Sequence, residues 1–139
     1  MLTKTLKLME HLERGNLNLF DVQSTGDADV LRHTETINGF TINSLIIIDN
    51  SVCTETIFVI AQCSNIMKHE QLHAFLNQLN CQKKLKYCLR EDGAITASML
   101  YWANDEEFNP NNLLTLYVSF LNSLTESTDI NKIMKIIWA

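Results

Sequence analysis

A chain of 139 residues has room for one domain, and a hydrophobic content of 46% is that of a folded protein, not a disordered one. Its 11 basic and 16 acidic residues give a net charge of −5, so the overall basic footprint of a nucleic-acid or anionic-membrane binder is missing. Cys53, Cys63, Cys81 and Cys88 contain no CxxC pair, which leaves neither a zinc-knuckle nor a dithiol redox spacing.

Leu2, Leu6, Met9 and Leu12 recur at helical spacing among Lys4, Lys7, Glu10 and Glu13, and Gly15 follows as a stop. Asn16 to Asp27 is polar and reads as a connection. From there the pattern is strand. Val30 to Ile37, Phe40 to Ile48 and Thr54 to Ala61 form an antiparallel meander, with Asn38-Gly39 and Asp49-Asn50-Ser51 as its turns. The Leu45 to Ile48 run predicts burial on both faces of the sheet. It is also the longest strongly apolar run, far short of the roughly 20 residues of a membrane span.

Leu72, Phe75, Leu76 and Leu79 mark a second helix from about Met67 to Leu79. Two further strands, Lys84 to Arg90 and Ala94 to Tyr101, pair around Glu91-Asp92-Gly93. Pro110 behind Asn109 opens a third helix through Leu113, Leu116, Tyr117, Phe120 and Leu124. Asp105-Glu106-Glu107 would stabilise its positive end. Thr128-Asp129 caps a last helical stretch carrying Ile130, Ile133, Met134, Ile137 and Trp138. The order α-β-β-β-α-β-β-α-(α) predicts an α+β domain over residues 1–139, a single antiparallel five-stranded sheet with helices on one face.

One motif carries chemistry. His69-Glu70-Gln71-Leu72-His73 spells HExxH, which on a helix lets two imidazoles grip zinc while the Glu acts as base. A small zinc-dependent metallopeptidase is therefore the alternative function. It needs a third ligand, and none stands at a suitable spacing: Glu91 falls in a turn, and His11 and His33 lie upstream. With Leu72 at the centre of the apolar stripe, His69 and His73 sit about 60° and 100° away, at its rim, and Glu70 about 160° away, toward solvent. Lys83, Lys84 and Lys86 read as a solvated strand edge. The isolated glycines form no phosphate loop. Met1 to Arg14 holds no export signal. A cytoplasmic location, free thiols and no cofactor are expected.

The stretch from about Phe40 to Trp138 resembles the YbjN-like family of bacterial proteins, whose fold is shared with class I type III secretion chaperones. The resemblance rests on the meander ending at Phe58-Val59-Ile60 and on Leu76-Asn77-Gln78-Leu79-Asn80 closing the second helix. It continues in the strands around Asp92-Gly93-Ala94-Ile95, the acidic loop, and the late helix Ile133-Met134-Lys135-Ile136-Ile137-Trp138. It implies a non-enzymatic interaction module, chaperone-like or regulatory as in sensory-transduction regulators, with a protein or peptide partner or a second copy as a homodimer. Nucleic acid and membrane are not expected as partners. The working surface of such a module is an exposed apolar patch. The candidates are Tyr117, Phe120, Ile133, Ile137 and Trp138 on the late helices, or the sheet face that the helices leave uncovered. A small-ligand regulator, a third possibility, would need a closed apolar pocket.

Overall fold

The computed structural model describes residues 1–139. Its elements are α1 (Thr3–Arg14), β1 (Asp21–Ser24), β2 (Ala28–Ile37), β3 (Phe40–Asp49) and β4 (Cys53–Gln62). After a 3-10 turn at Ile66–Lys68 come α2 (His69–Gln82), β5 (Lys86–Leu89), β6 (Ala94–Trp102), α3 (Pro110–Glu126) and α4 (Asp129–Ile137). The strands form one sheet in the order β1-β2-β3-β4-β6-β5, antiparallel at every pairing. The α+β class and the antiparallel sheet are as the sequence predicts. The sheet has six strands, not five: the connection read over Asn16 to Asp27 contains β1, which folds back on β2 through Gly26 at φ +90°. A strand holding one apolar residue, Val22, gives no alternating signal.

Turn chemistry fixes the meander. Asn38 and Gly39 take φ of 53° and 82° and place Ile37 opposite Phe40, the geometry of a two-residue hairpin. The β5–β6 connection is longer, Arg90 to Gly93, with Gly93 at φ +88°. A Cβ there would stand 2.4 Å from the Cys63 carbonyl oxygen, while the Cys63 amide donates to the Gly93 carbonyl at 2.8 Å. Only glycine fits where the end of β4 meets this turn. Nearby, between Val59 and Ala61, β4 carries a bulge in its pairing with β6.

One face of the sheet is covered. Leu31, Ile42, Ile46, Phe58, Ile95 and Ala97, at alternating strand positions, are buried in a single cluster of 26 residues. That cluster takes in Leu8 and Leu12 of α1, Leu72 and Leu76 of α2, Leu113 and Leu121 of α3, and Ile130 and Ile133 of α4. The Tyr117 ring packs between Phe20 and Phe58, with centroids at 5.5 and 5.6 Å. At the sheet end, α1 is tied down by polar contacts. Buried Asp29 accepts from the Thr5 hydroxyl at 2.5 Å and the Leu2 amide at 2.8 Å. Lys4, only 1% exposed, donates through Nζ to the Ser51 carbonyl. The α3 cap is the Asn109 side chain on the Asn112 amide at 3.2 Å, and the helix has no acidic residue in its first turn. Asp105 to Glu107 thus form a separate turn instead of the expected charge cap, closed by Asn104 and Glu107.

Both sheet edges are short. β1 and β5 have four residues each. At β5, the Asn80 side chain accepts from the Tyr87 amide at 2.5 Å and donates to the Tyr87 carbonyl at 2.9 Å, filling both backbone positions as a neighbouring strand would.

Candidate interaction surface

The register of the sheet decides what its other face presents. One row across the strands is Val30, Ile47, Glu55 and Leu100. The next is Arg32, Leu45, Ile57, Ser98 and Lys86. The third is Thr34, Asn43, Val59, Thr96 and Cys88. Beyond the first row stand Cys53 and Trp102. Val30, Leu45, Ile47, Val59, Leu100 and Trp102 contribute nothing to the core cluster. Ile57 is the one buried hydrophobic residue outside it, at 9% exposure among its strand neighbours. Leu100 is 50% and Trp102 66% exposed, and exposed Val52 adjoins them where the Ala103 amide bonds its carbonyl. No helix covers this apolar stripe.

Charge on this face is mixed and sparse. Arg32 and Glu55 form no ion pair within the chain; the three ion pairs present involve other residues. Asp21 lies cross-strand from Arg32 without closing a salt bridge. Asp49, beside the β3–β4 turn, accepts from the Ser51 hydroxyl at 2.5 Å and the Ser51 amide at 2.9 Å. These bonds hold its carboxyl below the usual value of 3.8.

Of the late-helix candidates, Tyr117 and Ile133 are buried in the core, so neither is surface. Phe120 and Ile137 are half-buried against it. Phe120 borders an open cleft of about 230 Å³ with Lys83, Tyr87, Ser123 and Asp129, where Lys83 and Asp129 pair at 3.6 Å. Burial and the Asp129 charge push the Tyr87 hydroxyl up to about 12. The cleft is open and mixed in polarity, not the closed apolar pocket of a small-ligand regulator. Trp138 is 83% exposed. Lys68 donates to the Ala139 carbonyl at 2.6 Å, which brings Trp138 toward exposed Ile66 and Met67 in a second, smaller patch.

The HExxH residues lie where the helical wheel puts them: Leu72 buried, His69 half-buried, Glu70 and His73 exposed. His69 Nε2 is already engaged with the Cys63 carbonyl at 2.9 Å. No group of three or more His, Cys, Asp or Glu side chains converges anywhere in the chain. The pair therefore lacks the third ligand a catalytic zinc requires. All four cysteines are free thiols; Cys63 is buried and Cys81 lies exposed in the last turn of α2, not beside a turn. No helix is long and apolar enough to cross a membrane.

Trp102 and Leu100 escaped the sequence reading, which followed Ile95, Ala97 and Met99 as the apolar phase of β6. The available signal was the opposite phase of that strand, Thr96-x-Ser98-x-Leu100-x-Trp102, which turns from polar to large and apolar toward its end. Compared with known proteins, the chain matches no family model and no curated protein.

Proposed function

We propose that the protein is a non-enzymatic protein-interaction module whose working surface is the uncovered face of the sheet. One observation carries this reading: a contiguous apolar stripe, Leu45, Ile47, Ile57, Val59, Leu100 and Trp102, stands on the sheet face opposite the helices and outside the core. Exposed apolar surface of this extent on a folded domain marks a docking site. The mode is face packing, not strand addition, since both edges are short and Asn80 occupies the backbone of β5. The order of elements supports a kinship with the YbjN-like and secretion-chaperone fold, whose members hold other polypeptides.

An environment-sensitive apolar dye tests the reading at submicromolar protein. Fluorescence enhancement is expected for the unaltered chain and a loss of most of it in the double substitution Leu100→Ser and Trp102→Ser. Trp138→Ser should retain it. Enhancement that ignores the sheet-face substitutions and falls with Trp138→Ser would move the working surface to the C-terminal patch.

A further inference from the structure

We infer that the uncovered sheet face takes a second copy of this chain, forming a two-fold symmetric dimer in which Arg32 of each protomer meets Glu55 of the other. The inference rests on the interaction reading above and names the partner. Three observations lead to it.

The first is size. β2, β3, β4 and β6 carry nine or ten residues each. At about 4.8 Å between strands and about 3.4 Å per residue they present roughly 19 by 33 Å, which the edge strands widen to about 750 Å². Each partner in a stable interface of standard size contributes about 800 Å². A single extended peptide or one helix would cover only part of this face, whereas another twisted sheet matches its breadth.

The second is charge. Arg32 and Glu55 are of opposite sign and share one face, and neither forms an ion pair within its own chain. In an isologous interface every contact occurs twice, so a face that binds itself must carry both members of each pair. The register puts Arg32 two strands and one row away from Glu55. A two-fold axis lying along the sheet surface over Leu45 and Ile47 exchanges these positions and stacks Leu45 on Ile57 of the other protomer. The net charge of −5 is carried largely by residues elsewhere, so the apolar centre meets its copy without a like-charge field.

The third is the closure of the alternatives at the edges. Asn80 fills the backbone of β5 and β1 offers four residues, so copies cannot readily join by continuing the sheet. The face remains.

Sedimentation or light scattering across a concentration series tests the proposal. The unaltered chain is expected to show twice its 15.9 kDa mass at micromolar concentration. Arg32→Glu and Glu55→Arg, each alone, should weaken the dimer by about tenfold or more, and the double reversal should restore it. Leu100→Glu, at an exposed position whose change leaves the core intact, should dissociate it independently. A dimer unmoved by all three single changes would overturn the proposal. So would single reversals that dissociate it with no rescue by the double. A monomer at every concentration that still binds the apolar dye at Leu100 and Trp102 would overturn the self-association while leaving the interaction module standing. A monomer without that dye signal would end both.

Discussion

Phe58 and Val59 are consecutive in β4, yet they belong to different physical regimes. Phe58 points into the helix-covered face, is fully buried and packs on Tyr117, whereas Val59 points out to a face that nothing covers. The covered face has solved its burial problem within the chain. The open face repeats the same chemistry, alternate Val, Ile and Leu, without a second layer. Sheets ordinarily solvate one face with polar residues. Here the difference between the faces is one of cover, not of composition, and this makes the open face a surface for other molecules.

The contrast is broken most sharply by truncating the two neighbours in turn. Phe58→Ala should cost about 3–5 kcal/mol and Val59→Ala less than about 1 kcal/mol in urea unfolding at submicromolar protein. Equal losses would mean that the open face is packed from within the chain.

A smaller effect concerns the polar end of the covered face. Burial raises the Asp29 carboxyl, but the Ser24 and Thr5 side chains, the Leu2 amide and the N-terminal charge outweigh it, leaving the group below 3.8. A carboxyl depressed on folding adds stability above its unfolded value, and that contribution fades as pH falls through the folded value. Asp29→Asn should therefore cost about 1–3 kcal/mol at neutral pH. The gap between the two proteins should hold above about pH 5 and close in acid. A gap independent of pH would assign the loss to shape, not charge.

The smallest expected change has the opposite sign. Thr56 is fully buried in β4 on the covered side, and its hydroxyl has no hydrogen-bond partner. Thr56→Val keeps the branched shape and removes that group, so a gain of about 1 kcal/mol is expected by thermal or urea unfolding. A loss would show that the hydroxyl is satisfied by water.

How far the sequence disclosed this arrangement depends on the range of the interactions involved. Asn38-Gly39 and the Leu72-Leu76-Leu79 stripe are local signals, and hairpin and helix formed where they pointed. β1 was hidden because a polar edge strand is held by its backbone, not by its side chains. The placement of β6 between β4 and β5 depends on pairing across some 35 intervening residues, which no local period reports. At the surface, the paired apolar run was legible only in part. Leu45 to Ile48 does place apolar groups on both faces, but the absence of cover over Leu45 and Ile47 is a property of where the helices went. Tyr117 and Ile133 fell into the core because helical periodicity marks a buried stripe and an interface stripe alike.

The insertion of β6 beside β4 has a consequence in time. β1 to β4 form from neighbouring hairpins, which close short loops and form early. Until Ala94–Trp102 arrives, β4 offers an unpaired backbone edge while its apolar residues are already aligned. Synthesis from the N-terminus exposes this half-sheet for as long as α2, β5 and β6 remain to be added. The slow step of folding is then the docking of the β5–β6 hairpin onto that waiting edge, and crowding of nascent chains at this stage would favour aggregation through β4.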